Sequence, residues 1–173
     1  MRKILPVIGL IVVMSSLLGC LDTESKDTFD EEDILEFGLE VLQTFFDNDK
    51  ETFYSYLAEE TYSLEGGGPY TVEEVRGWFD SDDYLMNQMY TQYSMEEYLE
   101  TYEPEILDYK EVDSEYPGII EMLRNLSWDF DDDDYMFRGW ETKDGEEGPL
   151  WDDPLAFMVT HETGELKFKA FSD

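Results

Sequence analysis

Acidic residues outnumber basic ones four to one in this chain of 173 residues: 44 Asp and Glu stand against 11 Lys and Arg, for a net charge of −33. Like charges at that density repel one another and oppose any compact state. A chain that folds under this load needs a large apolar core, and the composition supplies one, with 42% hydrophobic and 16% aromatic residues. A solvating, disordered tail has few aromatics. The single cysteine, Cys20, rules out an internal disulfide as a substitute for burial. Nucleic acid is excluded as a partner, because phosphate binding needs basic patches. Salt shortens the reach of charge repulsion from about 10 Å at 0.1 M to about 3 Å at 1 M. The surface therefore suits a saline exterior, and halophilic adaptation of a moderate kind is expected.

The charge is unevenly placed. Arg2 and Lys3 precede an apolar run from Ile4 to Leu18, and no acidic residue occurs before Cys20. A short basic segment, an apolar stretch and small closing residues form a secretory signal. The run of 15 residues is shorter than the roughly 20 needed to cross a bilayer as a helix. Its closing string, Leu17-Leu18-Gly19-Cys20, resembles the lipobox of prokaryotic lipoproteins. That resemblance implies a signal peptide over 1–19, a diacylglyceryl group on the Cys20 sulfur, and a cell-membrane location facing outside the cytoplasm. Two acyl chains suffice for stable anchoring. Loss of Arg2 and Lys3 with the signal leaves nine basic residues against 44 acidic ones, a net charge of −35.

Residues 20–28 read as a short lipidated tether, and 29–173 as one domain. Thr28 and Glu31 have capping-box spacing. Ile34, Leu35, Gly38, Val41, Leu42 and Phe45 then share one face of a helix over 31–46. Asp47-Asn48-Asp49 ends it, and a second short helix carries Phe53, Tyr54 and Leu57. Tyr62 to Leu64 reads as a strand and Gly66 to Pro69 as a loop. Thr71 and Glu74 cap a third helix with Val72, Val75, Trp78 and Phe79 inward. Ser94 and Glu97 repeat the capping spacing inside a Tyr- and Met-rich stretch. Ile106 to Val112 reads as a strand, Tyr116-Pro117-Gly118 as a turn, Ile119 to Leu126 as a helix, Tyr135 to Glu141 as a strand and Lys143 to Pro149 as a loop. Ala156 to Thr160 and Leu166 to Phe171 flank Glu162-Thr163-Gly164-Glu165 as a hairpin.

Two stretches are similar to the NTF2-like, or SnoaL-like, family. One runs from Phe53-Tyr54-Ser55-Tyr56-Leu57 through Tyr62-Ser63-Leu64 and the Gly66–Gly68 loop. It ends in Glu73-Glu74-Val75-Arg76-Gly77-Trp78-Phe79, similar to that family's E-x-[IV]-R-x-[FW]-[FL] helix. The other, Gly164-Glu165-Leu166-Lys167-Phe168, is similar to its closing G-x-W-K-[IV] strand, with Leu166 where tryptophan is usual. The resemblance implies an α+β fold in which N-terminal helices pack on a strongly bent antiparallel sheet. That cone can leave a cavity at its wide end, and residues 81–102 depart from the pattern as a helical insertion.

Candidate chemistry is sparse. His161, the one histidine, reads as a solvated strand end beside the hairpin turn; a general base is the competing reading. Asp129, Asp131, Asp132, Asp133 and Asp134 are candidate cation ligands, since hard cations favour clustered carboxylates. The EF-hand pattern fails there, because its sixth and twelfth positions would hold Asp134 and Trp140; no specific metal site results, and a solvated acidic loop is the plainer reading. Asn125-Leu126-Ser127 matches the N-glycosylation sequon. Tyr84, Tyr90, Tyr93, Tyr98 and Tyr102, with Met86, Met89 and Met95, form either core cover or an adaptable binding surface. No catalytic residue is assigned and no cofactor is expected. The leading expectation is a membrane-anchored, non-catalytic module for an unidentified small molecule or surface protein, with a homodimer if a sheet face is exposed. A small-pocket enzyme of isomerase or cyclase type and a surface cation-binding protein are the alternatives.

Overall fold

The computed structural model describes residues 29–64, 67–80, 94–139 and 156–171. The signal over 1–19, Cys20, the tether with Thr28, Gly66, the Tyr- and Met-rich part over 81–93 and the loop over 143–149 lie outside the described residues. Among the described residues, six helices and a six-stranded sheet make an α+β fold. Among the described residues, no helix is long and apolar enough to cross a membrane.

Helix α1 spans Glu31–Asp47. Its cap is Asp30, not Thr28: the Asp33 amide donates to Asp30 Oδ1 at 3.0 Å and the Asp30 amide to Asp33 Oδ2 at 2.9 Å. An aspartate pair thus makes the reciprocal box two residues later than expected. Asn48, at φ 53°, turns the chain out of α1. Helix α2 (Lys50–Tyr56) follows directly, and Leu57, expected within it, is instead the first residue of strand β1 (Leu57–Ser63).

Strand β2 (Gly67–Thr71) occupies most of the segment expected to be a loop. It lies at the edge of the sheet, where a proline lacking an N–H is tolerated. Gly68 sits at φ 117°, and a Cβ there would lie 3.0 Å from both the Thr61 carbonyl oxygen and the Tyr62 ring. Helix α3 (Val72–Phe79) begins at the expected Thr71–Glu74 capping box, and α4 (Met95–Thr101) at the Ser94–Glu97 box.

Strand β3 is only Glu105–Leu107. The expected continuation to Val112 is helix α5 (Tyr109–Glu115), because Asp108 accepts from the Lys110 and Glu111 amides at 2.8 and 2.9 Å and caps it. Helix α6 (Pro117–Asn125) also begins earlier than expected. Pro117 is not part of a turn but opens the helix, where its missing N–H costs no hydrogen bond. Strands β4 (Asp134–Arg138), β5 (Ala156–Glu162) and β6 (Glu165–Phe171) complete the fold. Thr163 and Gly164, at φ 53° and 85°, close the β5–β6 hairpin, as a two-residue turn of the twist-matched kind requires.

The sheet order is β2-β1-β6-β5-β4-β3. It is open and mixed, not antiparallel as expected: β1 pairs with β6 in parallel, and the other four pairings are antiparallel. Alternation divides the strands between two cores. On one face Phe137, Phe157, Val159, Phe168 and Phe171 pack with Ile34, Val41, Leu42 and Phe45 of α1, Phe53 of α2, and Val75 and Phe79 of α3. On the other face Leu107, Met136, Ala156, Met158 and Ala170 pack with Val112 of α5, Ile120 and Leu123 of α6, and the rings of Trp128 and Phe130. The second face, which would have to be open for a sheet-to-sheet homodimer, is thus covered along these residues. Each large apolar side chain removed from water stabilises by roughly 1.5–3 kcal/mol, which sets the two cores against the charge repulsion.

Candidate functional site

Among the described residues, aromatic rings pack between α1–α3 and the sheet. Phe137 stacks on Phe157 at 4.5 Å, Phe157 lies 5.2 Å from Phe168, Phe168 meets Phe53 edge-on at 5.2 Å, and Phe53 lies 4.7 Å from Phe79. Tyr98 and Tyr102 stack at 5.0 Å within the same core. The Tyr98 hydroxyl donates to the Gly139 carbonyl at 2.6 Å, and burial holds it protonated far beyond the ordinary tyrosine range. Both tyrosines of the expected adaptable surface that are described are therefore core. Met95 packs against that core as well, while Tyr84, Met86, Met89, Tyr90 and Tyr93 lie outside the described residues.

A cleft of about 490 Å³ opens instead at the β3 edge, among α1, α5 and β4. Its floor is Ile34, Ile106, Leu107, Tyr109 and Tyr135, and its rim is Glu31, Glu105, Asp108, Glu111 and Asp132. The carboxylates arrive there for local reasons. Glu31 is in the first turn of α1, which favours negative charge. Asp108 and Glu111 are the capping box of α5, Glu111 accepting from the Asp108 amide at 3.0 Å. Glu105 is held by Arg138, whose guanidinium also donates to Glu115 at 2.8 Å and to the Tyr116 hydroxyl at 2.7 Å. Burial, followed by the charges of Asp133, Asp108, Asp132 and Asp134, raises the Tyr135 hydroxyl above its usual range. The arrangement repels anions and favours a cationic group.

The acidic run at 129–134 is divided. Asp129, Asp131, Asp132 and Asp133 are exposed, whereas Asp134 is buried. Asp134 accepts from Trp128 Nε1 at 3.2 Å, from the Asp131 amide at 3.0 Å and from the Thr160 hydroxyl. Burial pushes its pKa up to about 6, against the pull of those three donors. It is the one buried carboxylate among the described residues, and it faces the α5–α6 side of the sheet, away from the phenylalanine-filled interior. Among the described residues no group of three or more His, Cys, Asp or Glu is placed to hold a metal.

His161 lies in β5, near the hairpin turn as expected, but it is half-buried and not fully solvated. It packs edge-on against Phe29 at 5.1 Å, and its Nε2 is buried without a hydrogen-bond partner among the described residues. Among the described residues no carboxylate pairs with that nitrogen. Asn125 is exposed as the last residue of α6.

The sequence did not reveal the cleft, although one signal was present. Asp108-x-x-Glu111 has the spacing of a capping box, and reading it as one would have placed both rim carboxylates. The burial of Asp134 has no such signal, since four consecutive aspartates read alike. No family model, curated protein or solved structure matches the chain. Its functional reading therefore rests on its own residues.

Proposed function

We propose that this chain is an exported lipoprotein, anchored by a diacylglyceryl group on Cys20, whose folded part is a non-catalytic binding module of NTF2-like architecture. The observation that supports the module reading is the aromatic packing between α1–α3 and the sheet, where, among the described residues, Phe137, Phe157, Phe168, Phe53 and Phe79 follow one another in four ring contacts. Three helices on one side of a mixed six-stranded sheet, in the order α1-α2-β1-β2-α3 before the remaining strands, support the NTF2-like reading. Helices α5 and α6 on the opposite face depart from the expected pattern. Ligand capture then falls to the surface, where the cleft beside β3 offers a mainly polar, acidic lining.

Two measurements test this. In an exporting bacterial host fed labelled palmitate, the wild-type chain takes up label and partitions with detergent, and Cys20→Ala does neither; an unlabelled wild type removes the anchor from the reading. A panel of apolar fluorophores finds no saturable interior site in the folded protein. One-to-one uptake of such a probe would return the small-pocket enzyme to first place.

A further inference from the structure

The sequon Asn125-Leu126-Ser127 sits on a turn whose geometry can be read bond by bond. Helix α6 buries Ile120 and Leu123 against the sheet, and Asn125, two residues past Leu123, points to the opposite, outer side. It is exposed. The chain then reverses. The Trp128 amide donates to the Leu123 carbonyl at 3.0 Å and the Ser127 amide to the Arg124 carbonyl at 3.1 Å. Ser127 takes φ 70°. These are the two crossing bonds and the left-handed residue of a Schellman helix end. Trp128 and Leu123 share one core cluster, as that motif favours. The tryptophan pins the turn inward, and the side chains of Asn125 and Ser127 stay on the solvent side. Of the three asparagines in the chain, Asn125 alone begins a sequon.

We propose that Asn125 is an N-glycosylation site, modified from a polyprenyl-phosphate-linked glycan at the outer face of the membrane. The proposal rests on the export reading given above. In the transfer, the Asn125 side-chain nitrogen forms a bond to C1 of the glycan and the C1–O bond to the lipid phosphate breaks. The phosphate leaves with the electron pair, and the amide proton passes to a base of the transferase. The Ser127 hydroxyl supplies the recognition element of the sequon. The glycan stands off the end of α6 and leaves the α1–α3 face untouched.

The test uses the full chain in a host that both attaches lipid to exported cysteines and carries an N-glycan transferase. Mass spectrometry reads Cys20 and the Asn125 peptide in the same preparation. The expected result is lipid on Cys20 and a glycan on Asn125. The decisive variant is Ser127→Gly. Glycine adopts φ 70° at no steric cost, so the turn and the fold are kept while the hydroxyl is lost; the glycan is expected to disappear. Asn125→Gln is expected to abolish it as well. Lipid present with Asn125 unmodified overturns the proposal and leaves the anchor standing. A glycan without lipid supports the proposal and overturns the anchor, and neither mark overturns both. A glycan that persists in Ser127→Gly also overturns it.

Discussion

A methyl group on Gly38 would lie 2.3 Å from Cδ2 of Phe137. The absence of a side chain at that one position lets α1 approach the sheet closely enough for the Phe137 ring to cover it. That ring is stacked on Phe157 with an interplanar angle of 9°, so it cannot swing aside without disturbing a second ring. Gly38→Ala gains up to about 1 kcal/mol of helix propensity and loses about 1–3 kcal/mol to overpacking. A net destabilisation of about 1–2 kcal/mol is expected in denaturant melts. Adding Phe137→Leu is expected to restore part of it, and a stabilised Gly38→Ala would mean that α1 can move off the sheet.

Ser127 presents the opposite situation, a side chain where the backbone prefers none. At φ 70° a non-glycine residue carries a cost of about 1 kcal/mol. Ser127→Gly is expected to stabilise by about 0.5–1 kcal/mol, because the left-handed end of α6 is kept and its strain removed. An equilibrium melt of the unmodified protein measures it directly. Destabilisation would show that the hydroxyl makes a contact worth more than the strain.

Asp134 makes stability depend on pH with a definite sign. Its native pKa is raised to about 6 from 3.8, so the folded state holds the proton more tightly than the unfolded state. The favourable contribution is fully present below the unfolded value and is lost as pH rises through about 6. A shift of about two units corresponds to about 3 kcal/mol. Between about pH 4 and about pH 7 the wild type is expected to lose roughly that much more stability than Asp134→Asn, in which this titration is absent. Comparing the two proteins cancels the repulsion among the other acids. Equal losses in both would place the raised pKa elsewhere.

The surface charge predicts a response to salt. Sodium chloride at about 1 M is expected to raise the melting temperature of the chain beginning at Glu24, by screening repulsion over all but a few ångströms. Calcium chloride at matched ionic strength is expected to give the same rise, since the described residues gather no metal-holding group. A larger effect of calcium would favour the cation-binding alternative, and Asp129, Asp131, Asp132 and Asp133 would be the first residues to neutralise. No response to either salt would remove the halophilic reading.

How far these features were legible depends on whether the signal was local. Thr71 with Glu74 and Ser94 with Glu97 located two helices because a capping box is contained within four residues. The Thr163-Gly164 turn located the hairpin for the same reason. Thr28 with Glu31 misleads because Asp30 and Asp33 form an equivalent box two residues on, with aspartate standing where glutamate or glutamine is usual. Ile106 to Val112 read as a strand because its apolar residues suit either period over so short a span. Gly67 and Pro69 read as loop because their tolerance at a sheet edge depends on which strand lies outermost, a tertiary fact. The parallel pairing of β1 with β6 and the burial of Asp134 are likewise tertiary, and no window of sequence contains them.

That parallel pairing has a consequence for how the protein reaches its final shape. Leu57 lies opposite Phe168, and Ser63 opposite Phe171, so β6, the last of the six strands in sequence order, lies inside the sheet between β1 and β5. Without β6, the β2–β1 pair has no connection through the sheet to β5, β4 and β3. A chain synthesised amino-terminus first can form its helices and capped turns early. It cannot join the two halves of its sheet until its last strand is free. Contacts of such long sequence separation are slow to form, and until they form the edges of β1 and β5 stay open to wrong partners. Deleting the seven residues of β6 would therefore remove a keystone, and the loss would be felt as failed assembly more than as a shortened tail.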